Sequence, residues 1–496
     1  MAGWHLAAAA GIFAILVIAG AVWIFRGESK PPTEVALGLT STPSEIFDLD
    51  ATAPPPTSLP TATFPPEDTP TAGPTQLAGV CNPLCLARMS SGEETTAFLS
   101  EFNAKPTYEH GDTSWVSVDN RMLAQLESEE RDFTLVEGVT DGSRLYVLRL
   151  PDGVDRSALD GLGTIVDGIE NQFLVDIPGP PPYVLDLVDR GISIEKLPPL
   201  LPVIAANTDK PEITDPGVVA ESISVGQLKQ RVSDLQSMGA AEGQLGSREY
   251  SQAGNVQAAE YLYRRLASYG LNVWYEDFIA DNGRLLLNVV GEIPGKDPSK
   301  IYLMTAHFDS IADDTKDPSL APGALDNASG DSILLETARA LSGYTLQYPV
   351  HFAFFNGEEY AMQGAHAFAH NAKEIESRPY AGAINVDSVG AALDQNQLYV
   401  NANQSSQFLS NLLVDINDRW GLGVAVWPSM SAKIKADDTE LNNFGIPAVM
   451  AGAVLYGDPL INQSKDTIED VDMWYLQAVG QLMTIAMATL VMPGGS

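Results

Sequence analysis

The sequence predicts an α/β protein: a doubly wound, mostly parallel sheet with helices on both faces, preceded by a small α+β domain and an N-terminal membrane helix. Three observations predict it. In the C-terminal half, the short apolar runs IYLMTA, VHFAFF and GAINV alternate with helical patterns, as buried strands of a parallel sheet do. Upstream, RLYVLRL, GTIVDGI, QFLVDIP and ISIEKL, separated by turn residues, read as strands of a smaller domain ending in LPPLLP. At the start, Leu6 to Phe25 is an uncharged, almost wholly apolar stretch long enough to cross a bilayer.

Taken in order, residues 1–30 are the membrane anchor. No lysine or arginine precedes Arg26, so the basic start of a cleaved signal peptide is missing, and cleavage followed by secretion is the alternative. Arg26 and Lys30, on the far flank, would by themselves keep the body inside. Residues 31–78 are dense in Pro and Thr (ATAPPPTSLPTATFPPEDTPTAGPT), too poor in apolar groups to fold, and read as the stalk of a surface-tethered domain. The two cysteines, Cys81 and Cys85, open the folded part in CNPLC and suit a local disulfide outside the cell. Stalk and cysteines outweigh the two basic residues, so the body is placed in an extracellular or periplasmic compartment. The small domain covers residues 79–204 and shows no catalytic spacing; inhibitory prodomain, substrate gate and spacer all remain open for it. Residues 205–223 are a linker and 224–496 the large domain. Its last apolar run, Met473 to Met492, is interrupted by Gln477, Gln481 and Thr484 at helical spacing, which predicts a helix packed on the sheet.

Charge excludes whole classes of partner. With 64 acidic and 28 basic residues, the net charge of −36 repels nucleic acid and anionic lipid surfaces.

The chemistry concentrates between His307 and Asp387. The segments are TAHFDS with His307 and Asp309, PGALDNASG with Asp326, FFNGEEYAMQGA with Glu358 and Glu359, and INVDSVG with Asp387. All but Asp326 follow an apolar run, and in open α/β sheets the site lies outside the carboxyl ends of the strands. Asp326 precedes a helix predicted over about Ser329 to Leu341, with Asp326 or Asn327 as its N-cap. A histidine with three spaced carboxylates suits zinc-like ions, one carboxylate bridging two of them. The adjacent glutamate left over suits a base. Singly, these residues have ordinary uses as helix caps or solvated helix starts. Their order and spacing together predict a hydrolytic metal centre.

From about Ser224 to Met492 the chain resembles the M28 family of zinc metallopeptidases, the di-zinc aminopeptidases. HFDS, GALDNASG, the strand leading to GEE and NVDSVG carry the resemblance. ADDTELNNFGIPAV, KDTIEDVD, LLNVVGEIPG and the helix in GSREYSQAGNVQAAEYLYRRLASYGLNV extend it. The resemblance implies a phosphorylase/hydrolase-like fold, zinc, and peptide substrates. It implies that His307 and Asp387 hold one metal, that Asp326 bridges to a second, and that Glu359 helps to hold that second ion. Glu358 would take a proton from the attacking water and pass it to the leaving amine. Asp309 would accept a hydrogen bond from the His307 imidazole and fix its tautomer.

One departure stands out. The family's second metal gains a histidine four residues before an Asp-Thr pair; that pair is here Asp466-Thr467, and Asn462 holds the histidine's position in INQSKDT. The six histidines are His5, His110, His307, His351, His366 and His370, so no later one can substitute. An amide oxygen is a harder, neutral donor than imidazole. One site is therefore expected to hold zinc firmly and the other weakly or not at all. The family's Ser-Asp-His is replaced by Ala436-Asp437-Asp438. His366 and His370 share a helix face but lack the glutamate of the zincin pattern, and His351 reads as a core residue. The expected activity is that of a membrane-anchored metallo-aminopeptidase. A catalytically impaired binding or scaffold relative is the alternative; glutaminyl cyclisation is disfavoured by the missing histidine, and carboxypeptidase-like specificity stays open.

Overall fold

The computed structural model describes residues 81–494, apart from residues 82, 141, 203–208, 242, 392–395, 432 and 453–459. The expected anchor (1–30), the stalk (31–78) and part of the linker lie outside the described residues.

The region expected to be one small α+β domain consists of two modules of the same topology. The first runs β1 (Cys85–Ser90), α1 (Glu93–Glu101), β2 (Tyr108–His110), β3 (Thr113–Val118), α2 (Asn120–Ser128) and β4 (Phe133–Leu135). The second runs β5 (Leu145–Arg149), β6 (Thr164–Ile169), β7 (Gln172–Asp176), α3 (Leu185–Asp189) and β8 (Ser193–Lys196). Their antiparallel sheets have the orders β2-β3-β1-β4 and β6-β7-β5-β8, the split β-α-β arrangement twice over. The sheets share a core in which Leu86 and Trp115 meet Val147, Leu174 and Leu197. Trp115 Nε1 and Arg88 both donate to Asp167 at 2.7 Å, tying one sheet to the other. A disulfide joins Cys81 to Cys85 across a Cα separation of 5.1 Å at the start of β1.

The large domain continues with α4 (Pro216–Ala220), α5 (Val225–Gln236), α6 (Ala253–Ser268), β9 (Asn272–Ile279), β10 (Leu285–Ile293), β11 (Ile301–His307), α7 (Ser329–Ser342) and β12 (Val350–Phe355). It then runs α8 (Gln363–His370), β13 (Tyr380–Asp387), β14 (Gln397–Asn401), α9 (Gln407–Trp420), β15 (Ala425–Ser429), α10 (Asp437–Asn443), β16 (Ala448–Gly452) and α11 (Met473–Val491). Among the described residues its strands form one eight-stranded sheet, β15-β14-β16-β13-β11-β12-β10-β9. The expectation of a mostly parallel sheet holds for the edge pair β14–β15 and at the centre, and the sheet as a whole is mixed. At the centre β16, β13, β11 and β12 are parallel neighbours, whereas β10 is antiparallel to both β12 and β9, and β14 to β16. The short connection between β9 and β10 permits nothing else, because parallel neighbours need a long crossover. Helices cover both faces. Side chains of α5, α6, α7, α9 and α11 fill one core, and those of α8 and α10 fill the other.

The C-terminal helix α11 has the length and hydropathy of a membrane span, but 72% of that stretch is buried inside the protein. Leu476, Val479, Leu482, Met483 and Met487 are fully enclosed in the larger core. It is the sheet-packed helix that its interrupting glutamines and threonine predict.

The second module is fastened to the β9–β10 hairpin. Leu285 of β10 belongs to the module's own core, with Tyr146, Leu148, Val175 and Leu187. The Leu285 N–H donates to the Pro182 carbonyl and the Val184 N–H to that of Gly283, both at 2.9 Å. Gly283 is needed here: its φ is +84°, and a Cβ would meet Tyr183 and Leu185 at 2.5–2.7 Å. The Lys196 ammonium, with a side chain wholly enclosed, pairs with Glu260 of α6 at 3.1 Å.

Candidate metal centre

The central parallel strands bring the predicted ligands together. His307 and Asp387 are the last residues of the adjacent strands β11 and β13, and Asp326 lies in the loop before α7. His307 Nε2 stands 3.1 Å from Asp326 Oδ1 and 3.3 Å from Asp387 Oδ1. Asp326 Oδ1 is buried and has no hydrogen-bond partner. Donors about 2.0–2.2 Å from a tetrahedral zinc-like ion lie roughly 3.3–3.6 Å apart, close to the two separations from His307 Nε2. A second grouping of His307, Glu358 and Glu359 adjoins the first.

Asp309 serves the centre through two contacts. The His307 Nδ1 meets the Asp309 backbone carbonyl at 3.2 Å, which fixes the tautomer that leaves Nε2 free to bind metal. The carboxylate is 3.6 Å from that nitrogen, beyond hydrogen-bond length. It accepts instead from the backbone N–H groups of Glu358 at 3.1 Å and Glu359 at 3.3 Å. One side chain thereby ties the end of β11 to the loop that carries both glutamates.

Three residues hold the Asp326 loop: Asp466 of the Asp-Thr pair, Asn327, which the sequence offered as an N-cap, and Arg248, which it did not single out. Asp466 accepts from the N–H groups of Leu325 at 2.7 Å and Asp326 at 2.9 Å. Asn327 Oδ1 accepts from Gly330 at 2.9 Å and Ser388 at 3.1 Å, while its amide donates to the Val386 carbonyl, so it caps α7 and clasps the end of β13. Arg248, wholly buried, donates to the carbonyls of Phe308, Pro322 and Gly323 at 2.6–2.8 Å. Only its position just before α6 marks it in the sequence.

The electrostatics are those of carboxylates crowded together in a buried place. Burial pushes Glu358 and Glu359 well above the usual carboxylate range, with Asp387, Asp437 and Asp326 adding repulsion and His307 opposing it. Burial opposes the imidazolium of His307, yet Asp387 and Glu358 lift its pKa well above the ordinary value. Asp438 is pushed up to about 8 and Asp466 to about 7, in both cases mainly by burial. Asp437 and Asp331 are fully buried with both carboxyl oxygens unpartnered.

Asn462 lies at the second corner. In the orientation that satisfies both ends of its amide, Nδ2 is 2.9 and 3.2 Å from the two Glu359 carboxylate oxygens and 3.3 Å from Asp326 Oδ2. The other histidines stand apart. His366 on α8 bonds Glu440 at 2.8 Å, and His370 packs edge-on against Phe444. His351 lies within β12 with both ring nitrogens satisfied, by Tyr380 at 2.7 Å and Glu292 at 3.0 Å.

Comparison with known proteins gives a consistent picture. Residues 288–487 match the family described as Peptidase family M28. Leupeptin-inactivating enzyme 1 of Streptomyces exfoliatus is 26% identical over 227 residues, 45% of this chain and 48% of its own. Aminopeptidase YwaD of Bacillus subtilis is 29% identical over 210 residues, 38% of this chain and 41% of its own. The chain thus spans about half the length, or less, of the curated relatives it matches. Among solved structures, LapB from Legionella pneumophila aligns with 82% of this chain and 98% of its own at 15% identity, with a TM-score of 0.49.

Proposed function

We propose that this chain, whose residues 288–487 form a Peptidase family M28 domain, is a metallo-aminopeptidase that removes N-terminal residues from peptides. The observation that carries this reading is the convergence of Asp326 Oδ1 and Asp387 Oδ1 within 3.3 Å of His307 Nε2, beside the Glu358–Glu359 pair. Those three atoms would hold one ion of the zinc class firmly, and a second ion weakly or not at all. When bound, such an ion lowers the pKa of water toward neutrality and polarises a carbonyl.

The chain's own residues do the rest. Glu358 accepts a proton from the attacking water and delivers it to the amine nitrogen as the C–N bond breaks. Asp309 keeps the Glu358 backbone in place and thereby fixes the reach of the carboxylate. The acidic surroundings favour a substrate that presents an α-ammonium group.

Glu358→Gln is expected to lower turnover of an aminoacyl-anilide by about 10²–10⁴-fold, with zinc content unchanged. Equal rates in the two proteins would end this mechanism. Asn462, whose amide faces the second corner, favours the rival reading of a silent binding protein; a zinc-loaded wild type without any hydrolysis would establish that one.

The disulfide between Cys81 and Cys85 supports an oxidising compartment, and we place the body outside a membrane that residues 1–30 anchor.

A further inference from the structure

We propose that Asn462 fills the second cation corner as a hydrogen-bond donor, its amide nitrogen bridging Glu359 and Asp326 and leaving a centre with a single metal ion. This rests on the metal centre described above and says how that centre is regulated in composition.

Two facing carboxylates need positive charge between them. A second cation would supply it, and so do the two N–H bonds of an amide. With its amide turned nitrogen-inward, Asn462 Nδ2 lies 2.9 and 3.2 Å from the two Glu359 oxygens and 3.3 Å from Asp326 Oδ2. Turned the other way, the amide oxygen would face only acceptors and the amide nitrogen only donors. The nitrogen therefore points inward, where a lone pair would be needed to bind a cation.

The surrounding loop holds Asn462 in that place. Its carbonyl accepts from the Asp313 N–H at 2.8 Å. Two residues on, the Ser464 N–H and hydroxyl both donate to Asp314, again at 2.8 Å. The backbone of Asn462 is left-handed, with φ +58°, a conformation that asparagine enters at lower cost than most side chains. Loop, backbone and amide agree on one arrangement, in which Asp326 gives Oδ1 to the ion site and Oδ2 to the amide.

The test uses the full chain, stripped with chelator and titrated with Zn²⁺, with bound zinc counted by elemental analysis. Wild type is expected to saturate at one ion per chain. Asn462→Asp removes both donors and adds a third carboxylate, so it is expected to reach two. The side-chain amide NMR signal that disappears in Asn462→Asp should remain protected from solvent exchange in the one-zinc wild type. This second readout stands even if the variant folds poorly. Two tight ions on wild type, or loss of amide protection on loading, would overturn this proposal and leave the metallopeptidase reading intact. A variant that folds and still binds one ion would overturn it as well. No zinc on either protein would overturn the metal centre and this proposal together.

Discussion

One residue beyond the glutamate pair, two consecutive residues without the freedom of glycine take left-handed backbone: Ala361 at φ +73° and Met362 at φ +57°. An L-residue in that region costs roughly 1–2 kcal/mol, of which the greater flexibility of unfolded glycine would cancel about 0.5–1 kcal/mol. Ala361 is exposed, so its methyl group packs little. Ala361→Gly should therefore stabilise the protein by about 0.5–1 kcal/mol, seen as a higher urea midpoint at unchanged slope. A lower midpoint would mean that the methyl group matters after all. At this scale the sequence was legible where chemistry leaves few choices. His307 and Asp387 end apolar strands at the carboxyl edge of the sheet, and Asp326 meets them from the loop before α7. Asp309 was legible as a partner of His307 but not as the anchor of the glutamate backbone, since a backbone N–H leaves no mark in a sequence.

Among elements, the loop from residue 460 to the start of α11 does most to shape the centre, although α11 itself is ordinary core. Its Asp466 holds the N–H groups of Leu325 and Asp326 across 140 residues of chain. Asp466→Ala would leave both donors without that acceptor, at a cost of about 1–3 kcal/mol. Outer-shell losses of this kind typically lower metal affinity about 10–100-fold. Competition against a calibrated chelator should reveal a drop in that range; unchanged affinity would show that Asp326 holds its place without help. Elements with strong periodicity were legible: α7 begins at Ser329 and α11 at Met473, as their patterns predict. The first split module was not. Its strands β2 and β4 have three residues each, and β1 and β3 mix Ser, Thr and Arg with apolar residues. Such short segments are stabilised by sheet partners far along the chain, which local pattern does not reveal.

For the whole molecule, the buried acids make stability depend on pH and metal together. Asp438 at about 8, Asp466 at about 7, and the raised Glu358, Glu359 and Asp437 hold protons in the metal-free fold that the unfolded chain releases near pH 4. The stability they contribute is complete below their unfolded values and is lost as pH rises through the folded ones. An ion needs its carboxylate ligands ionised, so its stabilising effect runs the opposite way. Calorimetry should show the melting temperatures of zinc-loaded and stripped protein drawing apart between about pH 6 and pH 8. A constant gap would mean that these acids are ionised without metal. The second split module adds a consequence of another kind. Leu285 lies in that module's core, Glu260 is partnered by Lys196, and Gly283 is closed over by Tyr183 and Leu185. Many hydrolases are born as zymogens and mature by shedding what precedes the catalytic domain. Here, shedding the second module would bare Leu285 and strip Glu260 of its Lys196 partner, so the large domain would be destabilised by the loss.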